Sequence, residues 1–398
     1  MLIHFQAMSL PNVEISRRAA KRIRSGHVWV YRSDLRSSEA EKGDIVRVVS
    51  RHGSGGTNEL GVAFYNPESL ISLRLIDRQV HELNREFWAA RFRQAIENRK
   101  ELPDIEDMAR LVFGEADCIP GLIVDRYGDV LVIQTGCAGS DHRIDLWIDI
   151  LEELLSPAAI AERNDSSTRR LERLESRCGV LRGRVDGPVE VREGGLRQLV
   201  DPLSGQKTGA YLDQRENRLR SAEYARGRCL DVFSYQGGFA LQLARGGAGE
   251  VLCVDQSERA LEAARAAARL NGLTVSCQTA NAFDFLRELQ GAGERFDVIC
   301  LDPPAFAKNR KSVERAERGY KEINLRAIKL LRSGGVLITS SCSYHMLEPQ
   351  FENLLREAGQ DGGRTLQVLE RRSQSRDHPV RLGFPESRYL KCFVLRVI

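Results

Sequence analysis

From about residue 196, short apolar runs alternate with segments whose apolar positions recur every third or fourth residue. The first pattern predicts buried strands and the second amphipathic helices. VEVREGG and RQLVDPL read as a hairpin-like lead-in, and QKTGAYLDQRENRLRSAEYA enters a helix. A strand through Leu230 and Val232 then meets Gly237 and Gly238, and a helix with Phe239, Leu241 and Leu243 follows. Val251 to Val254 form the next strand, ending in Asp255. The helix ERALEAARAAARLNG stops at Asn271-Gly272, a favourable helix end. TVSCQTA, AFDFLRELQ, FDVICLD, ERAERGYKEINLRAIKLL, VLITSSCS and a helix from Glu348 to Ala358 continue the alternation, and LQVLERR and YLKCFVLRV close it. Strands alternating with helices imply a parallel sheet covered on both faces, which binds ligands at its strand tips.

The earlier residues carry a different rhythm. Residues 1–80 read as a small β-rich unit of five or so short strands. Its one early helix, within SRRAAKRIRSG, leads into an aromatic strand with Trp29 and Tyr31; Gly53 to Asn58 read as a turn cluster. Residues 81–195 read as a small central α/β unit. It opens on an amphipathic helix whose expected buried stripe is Leu83, Phe87, Ala90, Phe92 and Ile96. Two strands then turn at Pro120-Gly121, with VLVIQTG, a helix from Asp141 to Leu155 and the strand AIAERND behind them. Arg163 to Arg177 read as a mobile loop or a short helix. Residues 196–398 form the alternating domain.

Composition narrows the function classes. At 398 residues there is length for two or three cores, and no apolar run approaches the roughly 20 residues of a membrane span. The first residues lack a charged segment followed by a long apolar one, so a cytoplasmic protein with no membrane partner is expected. The net charge of +4 does not by itself announce a nucleic-acid partner. Arginine is locally clustered, however, and Arg17, Arg18, Lys21, Arg22 and Arg24 lie on or beside the early helix. That helix presents either a phosphate-contacting face, with Arg18 and Arg22 as candidate substrate contacts, or a solvated one. The nine cysteines show no C-x-x-C spacing, so neither a zinc site nor a disulfide framework is expected, and Cys229, Cys253, Cys300 and Cys392 read as core filling.

The chemistry sits at the strand tips of the last domain. The turn Ser234 to Gly238 has adjacent glycines and no G-x-G-x-x-G, which favours a nucleoside without a pyrophosphate, such as S-adenosylmethionine. Asp255 is placed to accept two hydrogen bonds from a ribose diol, and Asn281 lies at the next tip. Asp302-Pro303-Pro304-Ala305-Phe306 is a rigid extended turn offering a carboxylate for the donor edge of a base and a ring for stacking. Cys342, in SSCS, stands at the fifth tip. A thiolate attacking C6 of a pyrimidine makes C5 nucleophilic toward a methyl donor, a step for which cysteine is suited.

Motifs along nearly the whole chain carry a resemblance: GHVWVY, GEADCIPGLIVDRYGDVLVIQ, QKTGAYLDQR, VFSYQGGFAL, VDQSERALEAAR, FDVICLDPPAF, RGYKEINLRAI, LLRSGGVLITSSCS, DHP and ESRYLK. The chain resembles the bacterial 23S ribosomal RNA cytosine-5 methyltransferases of the RlmI type. The resemblance implies a Rossmann-like class I methyltransferase domain preceded by a β-rich PUA-like RNA-binding domain and a small central domain. It implies S-adenosylmethionine as cofactor and 23S ribosomal RNA or a large-subunit precursor as partner, and it leaves a homodimer open. Phe233, Ser234, Tyr235, Gly237 and Gly238 would line the methionine side of the cofactor. Asp255 and Gln256 would hold its ribose, Asn281 and Ala282 its adenine, and Thr208, Gly209, Asp213, Gln214 and Arg215 would close the pocket. Asp302, which also borders the cofactor, and Phe306 with Pro303 and Pro304 would position the cytosine, and Cys342 would be the nucleophile. The chain departs from that family in having Asn281-Ala282 where an acid is usual. Its Asp-Pro-Pro turn also lacks the second cysteine of two-cysteine RNA enzymes, so Asp302 or a water must act as the base. Two other readings remain open: direct N-methylation of a base through Asp-Pro-Pro-x-Phe, and a non-catalytic RNA-binding assembly factor.

Overall fold

The computed structural model describes residues 10–51, 56–79, 82–103, 105, 107–306 and 313–398. Residues 53–55 of the expected turn, and residues 1–9 of the stretch read as free of a leader, lie outside that range. The chain divides into two compact units. The first holds the residues up to Val191 together with Val200–Tyr211 and Asp377–Ser387. The second holds Arg192–Leu199, Leu212–Arg376 and Arg388–Ile398.

In the first unit, β1 (Asn12–Ile15), β2 (Trp29–Tyr31), β3 (Leu35–Ser38), β4 (Ile45–Arg51), β5 (Thr57–Tyr65) and β6 (Ile71–Asp77) form one sheet in the order β2-β6-β5-β4-β1-β3. Helix α1 (Arg17–Arg24) is capped by Ser16, whose Oγ accepts the Ala19 amide at 3.1 Å. Its Ala19 and Ile23 pack with Val13, Val46 and Leu73. The sixth strand, β3, escapes the sequence pattern because LRSS has no apolar alternation; pairing with β1 holds it.

A second sheet of the same unit contains β7 (Met108–Phe113), β8 (Leu122–Tyr127), β9 (Val130–Thr135), β10 (Ala159–Asn164) and β11 (Arg177–Gly183), in the order β11-β10-β9-β8-β7. Helices α2 (Arg85–Lys100), α3 (Ala138–Asp141), α4 (Ile144–Leu155) and α5 (Ser167–Leu171) accompany it. The stripe expected on α2 is corrected: the buried residues are Trp88, Ala89, Phe92, Ala95 and Arg99, and Ala90 is exposed. The helix is rotated because Trp88 packs edge-on against Trp147 at 5.0 Å and Arg99 donates to both oxygens of Asp117 at 2.7 Å. Between Arg163 and Arg177 the chain forms the short helix α5, and β11 starts at Arg177.

Two strands, β12 (Val189–Glu193) and β13 (Leu196–Val200), pair with each other. The second unit then opens its helical run with α6 (Arg215–Ser221). Its sheet contains β14 (Arg228–Val232), β15 (Glu250–Asp255), β16 (Ser276–Thr279), β17 (Phe296–Leu301), β18 (Leu331–Ser341), β19 (Leu366–Arg372) and β20 (Lys391–Val397). The order is β16-β15-β14-β17-β18-β20-β19; the first five strands are parallel, and β20 is antiparallel to both neighbours. The connecting helices are α7 (Gly238–Arg245), α8 (Glu258–Leu270), α9 (Ala282–Gly291), α10 (Val313–Leu330) and α11 (Glu348–Asp361). Strand residues alternate between two apolar layers. Cys229, Cys253, Cys300, Val336 and Cys392 pack with Phe239, Leu243 and Leu261, while Leu230, Val232, Ile299, Leu337 and Phe393 pack with Tyr320, Ile323 and Phe351. A sheet buried on both faces leaves its tips as the place for polar chemistry.

Candidate active site

The turn between β14 and α7 is shaped by its backbone. Phe233 (φ 62°), Tyr235 (φ 48°) and Gly237 (φ 75°) adopt left-handed conformations, which are uncommon for residues with side chains and cluster in functional loops. The Ser234 amide donates to the Val254 carbonyl at 3.0 Å and the Gly237 amide to the Ser234 carbonyl at 2.8 Å. Asp255 ties the turn to the next strand tip: its carboxylate accepts the Tyr235 amide and the Ser257 amide, each at 2.9 Å. A Cβ on Gly237 would stand 2.9 Å from that of Ala264, and one on Gly238 would collide with Arg218.

Beneath the turn lies Asp231, a residue that sequence reading absorbed into an apolar strand. Its Oδ2 accepts the Ala240 amide at 3.0 Å, whereas its buried Oδ1 has no hydrogen-bond partner among the described residues, and neither has Ser234 Oγ. Burial pushes its carboxyl up to about 8 against the Ala240 hydrogen bond, and the charges of Asp302 and Asp255 push the same way. The signal available in the sequence was an acid inside the run Cys229-Leu230-Asp231-Val232.

At the next tips, Asn281 caps α9, its Oδ1 accepting the Phe283 amide at 2.9 Å. Ala282 is buried and Gln256 exposed. Asp302 follows directly on β17, and its Oδ1 accepts from Gln214 Nε2 at 2.8 Å. Gln214 is fixed in turn by Asn217, which donates to its Oε1 at 2.7 Å. Pro303 is buried and Pro304 exposed. Phe306 sits in an aromatic group, with ring centroids 4.7 Å from Tyr320, 6.0 Å from Phe283 and 6.4 Å from Phe233. Cys342 is the first residue beyond β18 and is half-buried. Around it, the Tyr320 hydroxyl and Ser343 Oγ are 2.9 Å apart, and the buried Lys391 donates to the Ser343 carbonyl at 2.7 Å. Asp213 accepts from the Tyr389 hydroxyl at 2.8 Å, and Arg215 is fully buried.

Thr208 and Gly209 belong to the first unit. There the Thr208 hydroxyl donates to Asp125 at 2.5 Å, and Gly209 backs onto Tyr127. The same unit presents an open cavity of about 520 Å³ lined by Arg17, Arg18, Arg36, Arg51, Glu14 and Asp34, among others. Asp34 organises this face, accepting from Ser16, Arg18 and Arg22 at 2.7–3.2 Å. Burial raises its carboxyl, but the Ser16 hydroxyl and the two guanidiniums outweigh that and hold it below the usual range.

The strand order with one antiparallel insertion, the strained turn and the acid at the second tip describe a nucleoside-binding sheet. A family model described as S-adenosylmethionine-dependent methyltransferase matches residues 109–381. The chain belongs to this methyltransferase family. A PUA-like domain model matches residues 13–78 of the methyltransferase. Its relatives include proteins named ribosomal RNA large subunit methyltransferase I. The one from Vibrio cholerae is 35% identical, covering 98% of this chain and 100% of the relative, and that from Erwinia tasmaniensis is 39% identical, covering 94% and 96%. A solved structure from Streptococcus mutans shares the fold, with a TM-score of 0.83 at 20% identity over 98% of this chain and 100% of that one. A methyltransferase structure complexed with SAH aligns with a TM-score of 0.84 at 21% identity over the same shares. S-adenosylmethionine is the cofactor of this methyltransferase family, and the residues present fit it: Asp231 Oδ1 and Ser234 Oγ are buried with no hydrogen-bond partner among the described residues, and added Cβ atoms on Gly237 and Gly238 would crowd the turn.

Proposed function

We propose that this methyltransferase modifies C5 of a cytosine in large-subunit ribosomal RNA through a covalent adduct between Cys342 and C6. The observation that carries the reading is the placement of Cys342 just beyond β18 and Asp302 just beyond β17, neighbouring parallel strands of the sheet that bears the cofactor turn. The names of its relatives support ribosomal RNA as the substrate. On this reading Ser234, Tyr235, Gly237 and Gly238 hold the methionine end of S-adenosylmethionine, Asp255 the ribose, and the helix cap at Asn281 borders the adenine. The bound cofactor supplies an electrophilic methyl group. Cys342 adds to C6, which turns C5 into an enamine-like nucleophile. After methylation a base, Asp302 or a water it orients, takes the C5 proton, and the sulfur leaves C6. Gln214 fixes the rotamer of Asp302 for that role. In the first unit, Arg18 and Arg22 supply charge for RNA phosphates around an acid that holds them in place.

Cys342→Ala tests the proposal. Methyl transfer to ribosomal RNA should fall by at least about three orders of magnitude, the scale of loss when a nucleophile is removed, while calorimetric binding of S-adenosylmethionine persists. Mass spectrometry of nucleosides from the modified RNA should show 5-methylcytidine. An N-methylated base, or full activity in the variant, would overturn the covalent route. A chain that binds no S-adenosylmethionine would point to the assembly-factor reading instead.

A further inference from the structure

Lys391 is an ionisable group that the reaction as described leaves unused. It opens β20, is 6% exposed, and lies opposite Ser341 in the β18–β20 register. Its Nζ donates to the Ser343 carbonyl at 2.7 Å and to the Tyr389 carbonyl at 2.8 Å. The lysine backbone is thus paired one residue before Cys342 and its amine is anchored one residue after it. Buried lysines are rare without a carboxylate partner. Among the described residues no carboxylate lies within ion-pair distance of Lys391. The charged groups facing it are Cys342 and Glu348, which favour the ammonium, and Arg388, which opposes it. Glu348 is itself paired with Arg388.

We propose that Lys391 is the positioning residue that holds Cys342 as a thiolate: its buried ammonium, anchored on the Ser343 carbonyl, stabilises the charge on the sulfur before it attacks C6. The S–H bond breaks with its proton passing to solvent, which the half-buried Cys342 reaches, and the thiolate is left facing an ammonium that keeps its own protons. When the sulfur later leaves C6 it returns to the same ammonium as a thiolate, so the C5 proton goes to the other base and then to solvent. Burial lowers the Lys391 amine to about 8, so it still carries its charge at neutral pH. Tyr320, on α10, also faces this sulfur: burial raises its phenol, the Ser341 and Ser343 hydroxyls lower it, and the Cys342 charge raises it further. Tyr320 is therefore a neutral neighbour and supplies no charge to the sulfur.

The inference rests on Cys342 being the nucleophile, and its test does not use RNA. Iodoacetamide alkylation of the full chain is followed against pH, with the Cys342 peptide resolved by mass spectrometry from the exposed Cys178. In Lys391→Met the alkylation midpoint should move up by a unit or more, cutting the rate at neutral pH about tenfold. Lys391→Arg, which keeps a positive charge, should stay near the wild-type rate. Both variants are first shown to bind S-adenosylmethionine calorimetrically, so that a collapsed fold is not read as a shifted thiol. Coincident profiles for wild type and Lys391→Met would overturn the inference, as would equal upward shifts in the two variants. If Cys342→Ala retained full methylation while the alkylation shift appeared, the nucleophile reading alone would fail.

Discussion

Two stretches of one sheet edge reach their geometry by different means. Between β14 and α7 the backbone does the shaping: three consecutive odd-numbered positions, 233, 235 and 237, sit at positive φ, and Asp255 accepts backbone amides there. At the tips of β17 and β18 side chains do it, through the relay Asn217 to Gln214 to Asp302, the aromatic group around Phe306, and the Tyr320–Ser343 and Lys391–Ser343 hydrogen bonds. A backbone-built cradle is insensitive to most side-chain exchanges but not to a bulkier residue where a left-handed turn needs glycine. A side-chain-built site is the reverse: its backbone tolerates change, but exchanging one atom of a carboxylate removes its chemistry.

The sharpest break in that contrast is Asp302→Asn. The amide keeps an oxygen for Gln214 but cannot accept the C5 proton. Turnover on RNA should fall by roughly 10²- to 10⁴-fold, the usual worth of a general base, with cofactor affinity by calorimetry changed only a few-fold. A loss of cofactor binding as large as the loss of rate would mean that Asp302 belongs to the cradle. Gly237→Ala should do the opposite. Placing a Cβ at φ 75° and 2.9 Å from Ala264 should weaken S-adenosylmethionine binding roughly tenfold, about 1.4 kcal/mol, and leave iodoacetamide labelling of Cys342 unaltered.

The last effect, on stability rather than on rate or binding, concerns Asp231. Its carboxyl is raised in the folded chain to about 8 from the ordinary 3.8. The folded state therefore binds a proton that the unfolded state has already lost. Its contribution is fully present below about pH 4 and declines as pH climbs through 8. Asp231→Asn removes that dependence, so thermal melts of the two proteins should agree near pH 4 and diverge up to about pH 8, the variant becoming the more stable by a few kcal/mol. Parallel melting curves across that range would show that the buried carboxyl has another compensation.

The two stretches also differed in how much the sequence disclosed. Glycine adjacency, an acid at the end of Val251 to Asp255 and an Asp-Pro-Pro turn are local signals, and the structure places each at a strand tip. Asp231 was invisible because its proton affinity comes from burial together with Asp302 and Asp255, residues distant in sequence. Lys391 looked like one cation in a closing strand, since only the antiparallel β18–β20 register brings it beside Cys342. Thr208 and Gly209, expected at the cofactor pocket, have first-unit contacts that a motif does not disclose: the Thr208 hydroxyl donates to Asp125 and Gly209 backs onto Tyr127. On α2, helical spacing fixed the period but not the phase, which the Arg99–Asp117 pair and the contact of Trp88 with Trp147 determine.

The position of β20 has a consequence for the nascent chain. It is translated after every other strand of its sheet, yet it lies between β18 and β19, and among the described residues β19 pairs only with β20. As the chain emerges from the ribosome, the facing edges of β18 and β19 are therefore bare until the last strand arrives, a template for pairing between neighbouring chains. Aggregation during expression, more than instability of the finished protein, is the hazard built into this arrangement, and it should be greatest for variants that slow the docking of Lys391–Val397.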